Sequence, residues 1–280
     1  MTESPITLPP WPGGATIAIS LTFDVDAESS LLGRSSSYES RLTSLSEARY
    51  AVVRGLPRIL EILASYEALA TFYVPGLTAE RHPDAVEAVV AAGHEIAHHG
   101  HMHLRSHEVD ADTQRREIED GIEAITRVLG EAPTGYRSPG WELTPHTVAL
   151  LDEYNFRYDS SAMGDDRPYF LDYENVRLLE LPVHWSLDDV PFFGFSGDLP
   201  ARLGDPGAMW AAWAAEFESA RRDSRYITFT MHPEIIGRGY RAEGLRTFLD
   251  DITRNGDTWI GRHADVAELI LRRASLVDAT

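Results

Sequence analysis

At 280 residues and 43% hydrophobic content the chain is long enough to bury a large core, and no run approaches the roughly 18 apolar residues that a membrane span needs. Its formal charge of −19 is spread along the chain as a solvated surface that repels nucleic-acid phosphates and anionic lipid, so neither is expected as a partner. Cysteine is absent, which excludes disulfides and thiolate ligands and leaves His, Asp and Glu to build any metal site.

The Pro-rich opening, Met1 to Gly14, has neither the basic nor the apolar region of a signal peptide, and a cytoplasmic setting is expected. Ala15 to Phe23 is an apolar, β-rich run that ends in acidic residues. Leu69 to Val74 is a second strand, and His94 to Ala97 a short third entered through Gly93. A helix follows from the N-cap Asp110, with Ile118, Ile122, Ile125 and Leu129 on one face. Further strands are predicted at Gly135 to Arg137, Phe156 to Asp159, Arg177 to Val183, Tyr226 to Met231 and Thr258 to Ile260. Two more helices are predicted over Ala208 to Ala220 and Gly244 to Ile252.

This alternation implies an α/β fold with a parallel sheet, open or closed into a barrel, and in both cases ligands bind at the carboxyl ends of the strands. Polar residues gather there. Asp24 and Asp26 follow the first run, His98, His99, His101 and His103 the third, then come Arg137, Asp159 and His232.

Asp24-Val25-Asp26 offers one acid for a metal and one for a base, provided the chain turns so that both point the same way. Turn and helix-cap aspartates fit the same segment. Six of the eleven histidines fall between His94 and His107, a density that points to metal. A His-x-x-x-His pair on one helical turn suits a divalent ion, and the pairs 94/98, 99/103 and 103/107 all fit. Arg137, in the turn Arg137-Ser138-Pro139-Gly140-Trp141, suits an acid partner or a substrate oxyanion. His232, before Pro233 and Glu234, suits a general acid. Trp141, Trp185, Phe192 and Phe193 are candidates for a sugar-stacking wall, with the phenylalanine pair better suited to core or subunit contact.

Taken in order, these pieces resemble the polysaccharide deacetylase family (the NodB-homology or carbohydrate esterase 4 group), in its peptidoglycan deacetylase and allantoinase-related branch. Asp24 and Asp26 resemble its aspartate pair. Gly93-His94-Glu95-Ile96 leading to His99-x-x-x-His103 resembles its metal motif and selects 99/103. Arg137-Ser138-Pro139-Gly140, Tyr158-Asp159-Ser160-Ser161 and Met231-His232-Pro233 resemble the later motifs. Leu181 to Asp189, Gly237-Arg238 and Trp11 to Gly14 also look like that branch. The resemblance implies a distorted (β/α)7 barrel of the NodB-homology type as one catalytic domain over 1–280, hydrolysing an N-acetylated sugar or a related amide. It implies Zn²⁺ or another divalent ion on Asp26, His99 and His103, with Asp24 as base, Arg137 orienting Asp24, His232 as acid, Asp159 tuning His232, and a backbone N–H near Gly140 or Trp141 facing the oxyanion. It further implies a carbohydrate or small-molecule substrate and a homo-oligomer. Gly140 stands where a tyrosine is often found in the polysaccharide-acting members. A metal-free allantoinase-like hydrolase is one alternative, opposed by the intact Asp24-x-Asp26. A catalytically silent carbohydrate-binding module is another.

Overall fold

The computed structural model describes residues 1–194 and 203–278. Its strands are β1 (Thr2–Pro5), β2 (Ile17–Asp24), β3 (Thr71–Val74), β4 (Glu95–His98), β5 (Gly135–Tyr136), β6 (Tyr158–Asp159), β7 (Tyr169–Tyr173), β8 (Val176–Glu180), β9 (Tyr226–Met231) and β10 (Thr258–Ile260). All ten join one sheet.

β2 shows how the sheet is built. All eight of its residues are buried, because both of its faces are covered. Ile17, Ile19, Leu21 and Phe23 point outward into a core shared with Ile59, Ile62 and Leu63 of helix Leu56–Ser65 and with Leu245, Phe248 and Leu249 of helix Gly239–Thr253. The alternate residues Ala18, Ser20, Thr22 and Asp24 fall on the opposite face by the two-residue period of a strand. Polar character on that inner face increases toward the carboxyl end, where Asp24 stands.

Seven parallel strands, in the order β9-β2-β3-β4-β5-β6-β8, curl into the distorted barrel that the resemblance implied. Among the described residues, the backbone pairing that joins the two ends of this sheet is the parallel bridge Asp188–Thr230, with the hydrogen bond from Asp189 N–H to the Thr230 carbonyl at 3.2 Å. The opposite, amino-terminal side is stoppered by Trp11, stacked on Trp259 at 6.0 Å, and by Val266, Ala267 and Ile270 of helix His263–Asp278. His263 points into the interior and is fully buried, its Nδ1 2.6 Å from the Tyr73 hydroxyl.

The predicted helices are present with longer bounds, as Ala111–Leu129, Pro206–Arg222 and Gly239–Thr253. Asp110 caps the first, its Oδ1 accepting from Thr113 N–H at 2.8 Å. Two antiparallel strands were not anticipated. β1 is a mostly exposed edge strand containing a proline, and it is held by pairing with β7 rather than by any apolar alternation of its own. Among the described residues no helix is long and apolar enough to cross a membrane.

Candidate active site

Asp24 and Asp26 reach the barrel mouth together without a turn between them, contrary to the sequence expectation. Val25 N–H still bonds the Tyr73 carbonyl at 2.8 Å, so the extended chain continues past β2 and its period alone aims both acids inward. The turn comes afterwards, at Ala27, with φ of 46°. Ser29 N–H, the Ser29 hydroxyl and the Thr78 hydroxyl all donate to the Asp26 carbonyl and hold that corner.

The histidine cluster is resolved by contacts. His94 Nδ1 accepts from Ala70 N–H, and His98 bridges Gly100 N–H and the Ile118 carbonyl at 3.1 Å each. Burial drives His98 down to about 3 and keeps it neutral. His107 lies at the surface beside Glu108. Only His99 and His103 meet, with ring centroids 4.9 Å apart at 76°. They do so from a loop and not from the predicted helical turn, since Gly100 and His103 take φ of 73° and 60°. A single carboxylate makes that loop possible. Glu117, on helix Ala111–Leu129, accepts the N–H groups of His101, Met102 and Leu104 at 3.0 to 3.2 Å.

The two imidazoles converge on Asp26. His99 Nε2 lies 3.6 Å from Asp26 Oδ1 and His103 Nε2 3.2 Å from Oδ2. His99 Nδ1 faces the Arg137 carbonyl at 2.8 Å, so it carries the proton and leaves the Nε2 lone pair directed at Asp26. Burial pushes His99 down to about 4, against the pull of Asp24 and Asp26. Asp26 Oδ1 is buried with no hydrogen-bond partner among the described residues. An unsatisfied buried carboxylate oxygen beside a free imidazole lone pair fits a metal ion, and these three side chains form a group able to hold one.

Asp24 lies alongside. Its Oδ1 is gripped by Arg137 Nη1 at 2.6 Å, while Oδ2 lies 3.7 Å from His99 Nε2 and 3.9 Å from His232 Nε2. Arg137 is fully buried. Its other donors go to Ser160 and Thr22, and its plane covers the Tyr73 ring at 4.0 Å.

The tuning of His232 differs from expectation. Asp159 does not reach it, because β8 and the barrel junction lie between β6 and β9. Asp159 instead accepts from Ser161 N–H and hydroxyl and sits opposite Glu180, whose pKa its own burial and the Asp159 charge raise well above the ordinary carboxylate value. The partner of His232 is Asp189, whose Oδ1 lies 2.8 Å from Nδ1 and whose Oδ2 accepts the His232 N–H at 3.0 Å. Asp188 adds a second carboxylate at 3.7 Å. Burial would lower the His232 pKa, but the hydrogen bond and charge of Asp189 and the charges of Asp188 and Asp24 raise it well above the ordinary imidazole value. Asp188 and Asp189 follow no strand, so no strand-end pattern marked them. Glu117 was hidden in a charged helix, Arg115-Arg116-Glu117, where one glutamate looks like any other.

Of the aromatic candidates, Trp141 and Trp185 stack at 4.3 Å and 23°, and Trp185 remains 44% exposed. Phe193 belongs to the core, with Phe192 packed against it. The Trp141 N–H is committed to the Ser138 carbonyl at 2.9 Å, which leaves Gly140 as the backbone donor of that turn.

With this geometry in hand, comparison with known proteins gives a consistent result. Residues 16–158 match the polysaccharide deacetylase family. The peptidoglycan deacetylase of Helicobacter pylori is 30% identical over 250 residues, covering 79% of this chain and 85% of its own. A solved structure from Mycobacterium smegmatis, assigned to the polysaccharide deacetylases, is 38% identical over 96% of both chains with a TM-score of 0.90. Puue allantoinase superposes over 95% of this chain and 94% of its own with a TM-score of 0.83 at 24% identity, a likeness of fold. The chain belongs to the polysaccharide deacetylase family. It is a hydrolase of carbon–nitrogen bonds other than peptide bonds.

Proposed function

We propose that the chain removes the acetyl group from an N-acetylated sugar or a related amide, with a divalent ion, Zn²⁺ in the first instance, held by Asp26, His99 and His103. Such an ion supplies Lewis acidity and lowers the pKa of water. The residues divide the remaining work. Asp24, fixed by Arg137 through one oxygen, keeps Oδ2 free to take the proton of the attacking water. Gly140 N–H supplies a backbone donor for the oxyanion. His232, held charged by Asp189 and Asp188, gives the leaving amine its proton from Nε2. Trp185, exposed above Trp141, provides a face on which a sugar ring can stack.

The observation that carries this reading is the position of Asp24 Oδ2, which faces both His99 and His232 within 4 Å, so that base, metal ligand and acid share one small volume. The test is acetate release from N-acetylglucosamine oligomers, with metal content measured on the same preparation. Chelation should abolish release and Zn²⁺ restore it, and Asp24→Asn should retain the ion yet turn over at least about a hundredfold more slowly. Clear activity that survives complete chelation sinks the proposal.

A further inference from the structure

A cavity of about 620 Å³ opens beside the catalytic residues. Ala27, which adjoins Asp26, and Glu234, two residues beyond His232, both line it, and its walls also carry Arg238 and Arg241. These two guanidinium groups stand out in a chain with 25 basic residues against 44 acidic ones. Three arginines are buried among the described residues: Arg137, Arg225 and Arg241. Arg137 is paired with Asp24 at 2.6 Å, and Arg225 with Asp166 and Glu216 at 2.8 and 2.9 Å. Arg241 is only 8% exposed, yet among the described residues no carboxylate pairs with it. Its Nε donates to the Tyr240 hydroxyl at 2.8 Å, its Nη1 to the Ile235 carbonyl at 3.2 Å, and its plane lies over the Phe193 ring at 4.2 Å. Arg238 repeats the pattern. Its Nε donates to the Glu234 carbonyl at 3.2 Å, its plane covers Tyr50 at 3.7 Å, and it too lacks a carboxylate partner among the described residues.

Neutral hydrogen bonds do not offset the burial of a cation as an opposite charge does. Two guanidinium groups that no carboxylate reaches within ion-pair distance among the described residues, facing one cavity whose walls also carry Glu47 and Glu234, therefore offer a place for an anion. Planar forks that already rest on aromatic rings suit a carboxylate, which can bridge them. A second unsatisfied group sets the rest of the ligand. Glu234 Oε2 is buried without a hydrogen-bond partner among the described residues, and it would accept from a hydroxyl or amide N–H.

We propose that the natural substrate is an N-acylated compound bearing a carboxylate, which Arg241 and Arg238 bind in this cavity while the acyl group lies between Asp24 and His232. The assignment of the acyl group rests on the deacetylase reading above; the anion site stands on the cavity and its arginines. Within that class, the site discriminates against neutral N-acetylated sugars through binding, since neither arginine touches the reacting groups.

The test uses three probes on the full chain: N-acetylmuramic acid, its carboxamide and N-acetylglucosamine. The first two differ essentially in charge. Calorimetric binding and acetate release are both measured. The acid should bind the wild type about tenfold or more tightly than the carboxamide, a ratio expected of one charge-assisted pair. Arg241→Gln should bring that ratio close to one, chiefly by raising the dissociation constant of the acid. If Arg241→Gln fails to fold by thermal melt, Arg238→Gln, on a half-buried side chain, carries the comparison. Equal binding of acid and carboxamide by the wild type overturns the proposal, as does failure to bind the acid at millimolar concentration, or a ratio unchanged in folded variants. Preferential binding of the acid with no acetate released leaves the anion site standing and removes the deacetylase reading. Acetate release from acid and carboxamide with equal KM does the reverse.

Discussion

Replacing Asp189 by asparagine removes the negative charge that His232 touches twice. The carboxylate accepts from both Nδ1 and the backbone N–H of His232, and an amide can accept at only one of these positions. An attraction of about 4 kcal/mol between unit charges some 4 Å apart, at an effective dielectric constant near 20, corresponds to roughly three pH units on the imidazole. Asp188 remains at 3.7 Å. Burial lifts that acid to about 7 against the pull of His232, and with Asp189 neutral it ionises more readily and restores part of the field. A net fall of about two pH units follows. The alkaline limb of the rate profile, which reports loss of the proton from His232, should therefore move down by about two pH units. Above the wild-type limb the variant should be about a hundredfold slower, and below the limb of the variant the gap should nearly close. KM should hardly change, because Asp189 is fully buried. The assay is kcat and KM for acetate release from pH 5 to 10, with metal content checked in both proteins. An unmoved alkaline limb, or a loss equal at every pH, would refute the assignment of Asp189 as the group that keeps His232 charged.

Glu117→Gln places amide hydrogens against the N–H groups of the loop that carries His103, so metal affinity should fall about 10- to 100-fold with the protein still folded, as read by chelator competition. Arg137→Met leaves Asp24 buried beside an apolar chain and should lower stability by about 3–5 kcal/mol in urea unfolding, besides abolishing turnover. His263 is held neutral, its pKa well below the ordinary value through burial and the charge of Arg137, while the unfolded chain takes up that proton near pH 6.5. Below that pH the unfolded state binds more protons, so stability is lost as pH falls. The urea midpoint of the wild type should accordingly drop more steeply between pH 7 and 5 than that of His263→Gln, and parallel slopes would contradict this.

The parts of the site that could be read from the sequence are those placed by strand ends. Asp24, Asp26, Arg137 and His232 each follow a run whose apolar period marks a strand, and parallel pairing then brings them together. The pair His99 and His103 needed more than spacing. Two rival pairs have the same interval: His94 Nδ1 and both nitrogens of His98 go to backbone groups, which removes 94/98, and His107 lies at the surface beside Glu108, which removes 103/107. Asp159 shows the limit of the strand-end argument. It sits at the right level of the barrel, but two strands round the circumference from His232, and linear order alone does not show that β8 returns between them. Asp189 and Glu117 stand at a bend and on a helix flank, where no strand period marks them; Asp189 lies within the segment Leu181 to Asp189 that resembles the branch, but that likeness gave it no role, and Glu117 lies in no motif.

The junction at Asp188–Thr230 divides the proposed catalytic groups by mechanical fate. Asp24 rides on β2, bonded along its length to β9 and, near its carboxyl end, to β3, and the loops bearing His99 and His103 follow β4 inside the same continuous sheet. Asp189, the carboxylate partner of His232, sits instead beside the isolated bridge that, among the described residues, pairs the two ends of the sheet. Local opening should begin at such a join, since little backbone bonding resists it. Warming would then release the carboxylate that raises the His232 pKa while the proposed metal ligands and base stay in register. The alkaline limb would fall before the fold is lost, with amide exchange at Asp189 running ahead of exchange along β2.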